Sequence, residues 1–180
     1  MQPIIVKDKR FKVSMPASKI QARVQEIGTQ ISQDYEGRTP MFISVLTGAF
    51  IFAADLVRSV ATPSEIAFMR VSSYEGTNST GQVREVLGLK EDIEGRDVVI
   101  VEDIIDSGLT MQELIALLRK KNPRSIAICA LLVKPGNLKV KDLPIKYCCF
   151  EIPNDFILGY GLDYDGLGRE LPDIYTLAED

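Results

Sequence analysis

The stretch that decides the fold is Val98-Val-Ile-Val-Glu-Asp-Ile-Ile-Asp-Ser-Gly-Leu-Thr110. Its apolar start, residues 98–101, is typical of a strand buried on both faces, as in a parallel sheet. Two carboxylates, Glu102 and Asp103, follow where that strand should end. The stretch then opens onto apolar residues at helical spacing: Met111, Leu114, Ile115 and Leu118. A buried strand, a turn and an amphipathic helix in this order predict an α/β fold.

The turn Asp106-Ser107-Gly108-Leu109-Thr110 has the composition of an anion-binding loop. In an open α/β sheet, ligands bind beyond the carboxyl ends of the strands. A small, glycine-containing turn at a helix start offers free backbone N–H groups and the positive end of the helix dipole. Acidic residues beside such a loop suit a ligand that also carries hydroxyls or a divalent cation. The local chemistry therefore indicates a phosphorylated sugar bound with Mg²⁺.

The same alternation of buried strands and amphipathic helices extends along the chain and predicts a parallel core sheet flanked by helices. Strands are predicted at residues 41–46, 66–71, 98–101, 126–133, 147–152 and 174–177, with a return strand at 83–87. Helices are predicted around 20–31, over 49–60 and from a capping box at Thr110-x-x-Glu113 to residue 121. Residues 72–81, rich in Ser, Thr, Gly and Asn, are predicted to form a mobile loop.

The composition bounds the class of protein. With 180 residues, 46% of them hydrophobic, the chain is expected to fold as a single domain over residues 1–180. No apolar stretch approaches the roughly 20 residues of a membrane helix, and the N-terminus lacks the pattern of a secretory signal. The net charge of −4 argues against a surface that coats nucleic acid. We expect neither a membrane nor a nucleic acid as partner.

Cysteine and histidine usage narrows the chemistry further. Cys129, Cys148 and Cys149 form neither a disulfide framework nor a metal-ligand spacing, so free thiols in a reducing cytoplasm are expected. Cys129 and Cys148 lie in apolar, strand-like runs and are expected to be buried. Because the chain has no His, histidine triads and His-ligated zinc are excluded. Any acid or base must be Asp, Glu, Lys, Tyr or Cys.

Residues 99–110 resemble the phosphoribosyl-diphosphate (PRPP) signature of the type I phosphoribosyltransferases. Leu46-Thr47-Gly48 is similar to the diphosphate loop of that family, and Ser73-Tyr74, followed by Ser79-Thr80-Gly81, resembles its mobile catalytic lid. Three further parts of the chain resemble the base-binding region of the hypoxanthine-guanine branch: Lys134, Phe150-Glu-Ile-Pro-Asn-Asp-Phe-Ile-Leu-Gly-Tyr-Gly-Leu-Asp-Tyr164 and Arg169. The resemblance runs from about Ile43 to the C-terminus.

This resemblance implies a reaction, a fold and partners. In the implied reaction, a nitrogen of a 6-oxopurine displaces diphosphate from C1 of PRPP. The 6-oxopurines are hypoxanthine and guanine, Mg²⁺ is the cofactor, and the reaction belongs to purine salvage. The fold is that of the type I phosphoribosyltransferases, with a small hood over the base site built from N- and C-terminal segments. The resemblance also implies a cytoplasmic homodimer or homotetramer.

The resemblance assigns the PRPP end of the site. Glu102 and Asp103 would hold the ribose hydroxyls, directly and through Mg²⁺-bound water. The 5′-phosphate would lie in the nest formed by Asp106 through Thr110, in which Ser107, Gly108, Leu109 and Thr110 are the binding residues. Diphosphate would be bound by the backbone of Thr47 and Gly48, where the entering peptide can be cis in the family, and by Arg169 as a bidentate clamp.

The base end is assigned in the same way. Asp106 would accept the proton from N7 of the purine, and Lys134 would donate to its O6 atom. Phe156 would stack on the base and the backbone of Ile157 would meet its edge. Asp163 would coordinate a second Mg²⁺ beside the base.

This chain departs from the family pattern at three positions. Thr47 stands where several relatives have Lys or Arg, Leu109 where many have Lys, and Asp155 where some have Lys. The first removes an expected charged contact to diphosphate. The second leaves the backbone of the phosphate nest intact. All three bear on affinity and not on the reaction.

Simpler interpretations exist for single residues. Glu102 and Asp103 could be a solvated acidic turn, and Asp106 could cap the following helix unless Ser107 or Thr110 does so. Lys134 could extend to solvent and Phe156 could be a core residue. For the whole chain, the alternatives are a xanthine-preferring relative and a PRPP-sensing regulator that binds nucleic acid. The acidic net charge and the presence of Asp106, Lys134 and Arg169 disfavour the regulator.

Overall fold

The computed structural model describes residues 3–73 and 83–178. Of the two predicted lid residues, Ser73 is the last residue of a strand, whereas Tyr74 lies outside the described residues. Most of the predicted loop 72–81 lies outside them as well. No helix of the described chain is both long enough and apolar enough to cross a bilayer.

The helices and strands alternate as the sequence predicts. The helices are α1 (Ala17–Asp34), α2 (Phe50–Ser59) and α3 (Leu109–Arg119), and a short 3₁₀ turn covers Pro135–Asn137. The strands are β1 (Ile4–Val6), β2 (Lys9–Met15), β3 (Met41–Val45), β4 (Glu65–Ser73), β5 (Val83–Leu87), β6 (Asp97–Ile105), β7 (Ser125–Val133), β8 (Ile145–Glu151), β9 (Ile157–Leu158) and β10 (Ile174–Leu177).

The larger sheet has the order β5-β4-β3-β6-β7-β8. Strands β4, β3, β6, β7 and β8 are parallel, and β5 is the antiparallel return strand at one edge. Alternate residues of the central strands feed two separate cores. Phe42 and Val99 pack with α1 and α2, whereas Ile43 and Ile100 pack with α3. The predicted α/β class with a helix-flanked parallel sheet is confirmed.

A smaller sheet, β1-β2-β10-β9, joins the two ends of the chain. Strand β10 pairs antiparallel with both β2 and β9, and Phe11, Leu158 and Tyr175 form its core. Our sequence analysis predicted β10 but assigned no strand to β1, β2 or β9. The signal for β2 was present, because Phe11 and Met15 are buried in alternation with exposed Arg10 and Lys12.

The start of α3 corrects one prediction. The helix begins at Leu109, one residue before the predicted N-cap Thr110, so the capping box with Glu113 does not form. Gly108 is the N-cap, with no side-chain cap hydrogen bond, and Ser107 Oγ accepts only a long bond of 3.4 Å from Leu109 N. Capping by Asp106 was likewise wrong. The glycine conformation therefore makes the transition from turn to helix without a side-chain cap.

The three cysteines are free thiols, as predicted. Cys129 and Cys149 are buried, but Cys148 is only half-buried, which corrects its predicted burial. Arg23 of α1 explains the local arrangement, because its guanidinium donates to the backbone carbonyls of both Cys148 and Cys149. Burial raises the pKa of the Cys129 thiol well above its usual value. This residue is accordingly an inert core side chain.

Helices α1 and α2 cross at a glycine. Gly28 is buried in α1, and a Cβ placed there would stand 2.5 Å from Ser59 Cβ and 2.6 Å from the Ser59 carbonyl oxygen. Real Cβ atoms do not come so close to other heavy atoms, and backbone atoms cannot rotate away. The absence of a side chain at Gly28 therefore sets the separation of α1 and α2.

We expect Gly28→Ala to destabilise the protein. In a helix interior this change ordinarily stabilises by about 1 kcal/mol. Here the added methyl group forces α1 away from α2, and overpacking of this kind costs about 1–3 kcal/mol. Denaturant titration should therefore show a free energy of unfolding lower by about 1–3 kcal/mol. Gln30→Ala, on the exposed face of α1, is the matched control and should be nearly neutral. A variant more stable than the parent would contradict this packing.

Candidate active site

Three loops at the carboxyl edge of the parallel sheet carry most of the predicted site residues. They follow β3, β6 and β7, which lie side by side in the sheet. Ligands of open α/β sheets bind at this edge. The loops supply Thr47 and Gly48, the turn 106–110, and Lys134.

The two carboxylates at the end of β6 differ in environment. Glu102 is only 8% exposed, and Asp103 is partly buried. Backbone N–H groups hold both side chains: Asp103 N donates to Glu102 Oε1 at 3.0 Å and Ile104 N to Asp103 Oδ1 at 2.8 Å. Burial, and then the neighbouring Asp103 carboxylate, raise the pKa of Glu102 well above its usual value. A fully solvated acidic turn is therefore the wrong description of this pair.

The loop after β3 lies directly against this pair. Its Leu46–Thr47 peptide bond is cis. A Cβ placed on Gly48 would stand 1.7 Å from Asp103 Oδ2. Any side chain at this position would therefore displace the Asp103 carboxylate. Glycine at position 48 is what lets the predicted diphosphate loop touch the predicted ribose-binding carboxylate.

A cleft lies between the end of β6 and the start of α3. It encloses about 330 Å³, including space open to solvent, and its lining includes Glu102, Asp106, Ser107, Gly108 and Thr110. The first N–H groups of a helix have no partner within the helix. Those of α3 are therefore available to an anion in this cleft, as the sequence predicts for the 106–110 turn.

Asp106 and Lys134 form the charged centre of the site. Lys134 Nζ lies 3.6 Å from Asp106 Oδ2, and the lysine side chain is 10% exposed whereas that of Asp106 is 55% exposed. A lysine extended into solvent is therefore the wrong interpretation. The buried ammonium instead points at the carboxylate that our sequence analysis names as the base.

Two asparagines that the sequence analysis missed hold this pair. Asn137 Nδ2 donates to Asp106 Oδ1 at 2.9 Å, and Lys134 Nζ donates to Asn154 Oδ1 at 3.2 Å. Asn137 belongs to the 3₁₀ turn after β7, and Asn154 precedes the predicted base-stacking Phe156. The position of Asn137, three residues after Lys134 in the turn that follows β7, was a signal for its role. Nothing in the sequence pattern indicated the contact of Asn154.

Phe156 is exposed and is not a core residue. The residue is 43% exposed. Its ring lies edge-on to that of Tyr164, with centroids 5.4 Å apart, and its centroid is 6.0 Å from that of Phe11. Phe11 is fully buried in the small sheet and supports the ring from that side. Ile157, the next residue, is half-buried in β9. The small sheet therefore presents an aromatic face beside the Lys134–Asn154 contact.

Asp163 and Arg169 are paired with each other. Arg169 Nη2 lies 2.8 Å from Asp163 Oδ1, and Gly166 N donates to Asp163 Oδ2 at 2.7 Å. Arg169 Nη1 also donates to the carbonyl oxygen of Gly161 at 2.7 Å. Among the described residues, no group of three or more His, Cys, Asp or Glu side chains is arranged to hold a metal ion. In the free protein Asp163 and Arg169 therefore pair with each other. To hold a metal ion and the diphosphate, as predicted, they would have to separate.

Comparison with known proteins gives the same assignment along most of the chain. The phosphoribosyl transferase domain family matches residues 16–165. The hypoxanthine-guanine phosphoribosyltransferase of Mycobacterium tuberculosis is 47% identical over 172 residues, which cover 92% of this chain and 85% of that protein. The hypoxanthine phosphoribosyltransferase of Escherichia coli is 43% identical over 164 residues, covering 89% of this chain and 92% of that protein.

A solved structure extends the similarity to three dimensions. The crystal structure of a hypoxanthine-guanine phosphoribosyltransferase from Bacillus anthracis superposes with a TM-score of 0.87 at 38% identity, covering 93% of this chain and 97% of that chain. The matched family region includes the carboxylates of β6, the turn 106–110 and Lys134. The chain therefore belongs to the phosphoribosyltransferase family and, within it, to the hypoxanthine-guanine branch.

Proposed function

We propose that this protein is a transferase of purine salvage that converts hypoxanthine, and guanine, with PRPP into the nucleoside monophosphate and diphosphate. The observation that carries the proposal is the contact between buried Lys134 and Asp106 beside the cleft at the start of α3. Lys134 would donate to O6 of the base and Asp106 would accept the N7 proton. Both lie next to the proposed nest for the 5′-phosphate. Membership of the hypoxanthine-guanine branch supports the same substrates.

The reaction separates charge, and the site has groups for each end. Bond breaking at C1 leaves positive charge on the ribose and negative charge on the departing diphosphate. We propose that Glu102 and Asp103 hold the ribose hydroxyls. The nest of Ser107, Gly108, Leu109 and Thr110 binds the 5′-phosphate, while Thr47, Gly48 and Arg169 bind the diphosphate. Fixing both ends positions C1 for attack by the purine nitrogen.

Asp106 is the proposed general base. Its Oδ1 is held by Asn137 and its Oδ2 faces Lys134, so the carboxylate has a defined orientation towards an incoming base. Attack by the purine on C1 makes the N7–H acidic, and Asp106 accepts that proton as the glycosidic bond forms. Phe156 supplies the stacking face, Ile157 the backbone at the base edge, and Lys134 the donor to O6.

Mg²⁺ fits this arrangement as a companion of the substrate. It is usually held by one or two carboxylates together with substrate phosphates, and it neutralises the negative charge that develops on the diphosphate. Glu102 and Asp103 are hard oxygen donors beside the diphosphate loop. We propose that Asp163, which pairs with Arg169 in the free protein, would be a further ligand of the metal.

The remaining proposals concern the surroundings of the site. We propose that residues 1–180 act as one domain, with the small sheet as the hood over the base, and that Ser73 and Tyr74 belong to a lid. We also propose a homodimer or homotetramer. Ile66 and Phe68 project from the same face of β4 and remain 39% and 43% exposed, which suits a subunit interface. Sedimentation equilibrium measures the mass of the assembly.

Asp106→Asn should abolish proton acceptance while keeping the shape and the contact to Asn137. General bases contribute about 10²–10⁴-fold, so we expect kcat to fall within that range with little change in the Kd for PRPP. Asp92→Asn, in the turn before β6 at the opposite edge of the sheet, is the control and should keep kcat. Parental turnover by the Asp106 variant would remove this residue from the base role.

Activity should depend strictly on Mg²⁺, although the protein alone should bind the metal weakly. Calorimetric titration of Mg²⁺ into the free protein should give little heat, whereas titration with PRPP present should give saturable binding. Exhaustive EDTA treatment should stop turnover, and added Mg²⁺ should restore it. Full activity in EDTA would refute the metal requirement.

Adenine should be rejected because its 6-amino group is a donor facing the Lys134 donor. Mismatch at a closed polar site costs about 10⁴–10⁵-fold in favourable cases, and we expect kcat/KM for adenine at least ~10³-fold below that for hypoxanthine. Lys134→Ala should reduce turnover of hypoxanthine far more than that of adenine. Equal losses for both bases would show that Lys134 does not recognise O6. A parallel assay with xanthine decides between the proposed preference and a xanthine-preferring enzyme.

A further inference from the structure

Tyr160 occupies an unusual place in the chain. It lies between Gly159 and Gly161, and all three residues have positive φ values of 100°, 50° and 101°. Bulky residues rarely adopt the left-handed region, so such a conformation persists where the surroundings hold it. The Tyr160 side chain is 4% exposed and packs in the core shared by α1, α2 and the sheet. Its burial therefore anchors the segment that follows Phe156.

The phenol of Tyr160 reaches the helix that follows the diphosphate loop. Its OH donates to Asp55 Oδ2 at 2.7 Å. Asp55 lies in α2, which begins two residues after Gly48. Burial, and then the bond to Asp55, raise the pKa of Tyr160 far above its usual value, so the phenol remains a donor at neutral pH. A side chain thus ties the base segment to the helix that directly follows Thr47 and Gly48.

The next residue makes the second contact between the same two segments. A Cβ placed on Gly161 would stand 2.1 Å from the carbonyl oxygen of Gly48, so the two backbones touch. On its other side, Gly161 accepts from Arg169 Nη1 and donates from its N–H to the Arg169 carbonyl at 2.9 Å. The backbone of Gly161 is therefore held between the diphosphate loop and the proposed diphosphate clamp.

We propose that the Tyr160–Asp55 hydrogen bond positions the diphosphate end of the site against the base end. By fixing the backbone of Gly161 on Gly48, Tyr160 sets the distance between the segment bearing Phe156 and the loop of Thr47 before either substrate arrives. This inference rests on the proposed function, since it concerns the binding of PRPP at that loop. Because the two segments are already fixed in place, PRPP binding does not have to order them, and the affinity is higher for that reason. Tyr160 is a positioning residue and touches neither substrate.

The test separates substrate binding from chemistry. Tyr160→Phe removes only the hydroxyl, and Asp55→Ala removes its acceptor together with the solvent-exposed contact to Arg58 Nη1 at 3.8 Å. We expect each variant to raise KM for PRPP about three- to tenfold, the effect of losing one ordinary hydrogen bond. We expect kcat at saturating PRPP to stay within about twofold, because the bound substrate restores the geometry. The double variant should be no worse than either single variant, because both remove the same bond.

The chain offers a matched control for a purely structural tyrosine. Tyr147 is also buried, and its OH donates to Asp34 Oδ2 at the same distance of 2.7 Å. Asp34 ends α1, which leads into the amino end of β3, the edge opposite the cleft. Tyr147→Phe should therefore lower the denaturation midpoint to a degree similar to Tyr160→Phe, and it should leave KM for PRPP unchanged.

Each outcome of the comparison is decisive. A rise in KM for PRPP confined to Tyr160→Phe and Asp55→Ala, with non-additivity, supports the positioning role. Equal KM values for both tyrosine variants, or a loss confined to kcat, would overturn it. Calorimetric titration of PRPP with Mg²⁺ gives the same comparison without turnover. If the parent protein binds PRPP but transfers nothing, the proposed function fails while the positioning role is still tested by these Kd values.

Discussion

The site depends on one close approach, that of the Asp103 carboxylate to the backbone of Gly48. A Cβ at position 48 would stand 1.7 Å from Asp103 Oδ2, so no side chain fits between the loops after β3 and β6. Because these strands are parallel neighbours, their carboxyl ends already lie side by side. The missing side chain lets the two loops close into one surface. Gly161, in the segment that follows β9, lies against the carbonyl oxygen of Gly48, so that three segments distant in sequence meet around a single glycine.

The charges around this contact suit the proposed ligand, which brings both hydroxyls and phosphates. Burial raises the pKa of Glu102. A ribose hydroxyl or a bound cation would favour the charged carboxylate and so lower this pKa again. Lys134 is buried and already has Asp106 and Asn154 as partners before a base enters. An incoming 6-oxopurine offers that ammonium an acceptor and offers Asp106 a proton. We therefore propose that the same pair serves for both specificity and proton transfer.

Elements that are set by the burial of apolar side chains could be predicted from the sequence. The apolar run of β6 was predicted correctly as a buried strand, but the strand spans Asp97–Ile105 and so contains the two carboxylates that were predicted to follow its end. The start of α3 was misplaced because the composition of Thr110-x-x-Glu113 fits a capping box, whereas the left-handed conformation of Gly108 starts the helix one residue earlier. Asn154 and Tyr160 were missed for another reason: their roles come from partners at Lys134 and Asp55, and no local pattern encodes such long-range contacts.

The central claim is that the three loops together transfer a phosphoribosyl group to a 6-oxopurine. The most direct measurement is a mass balance: PRPP, hypoxanthine and Mg²⁺ are incubated with the protein, and PRPP, nucleotide and diphosphate are quantified by mass spectrometry. The account predicts that one nucleoside monophosphate and one diphosphate appear for each PRPP consumed. Binding of PRPP without its consumption, or release of diphosphate without formation of the nucleotide, would contradict it.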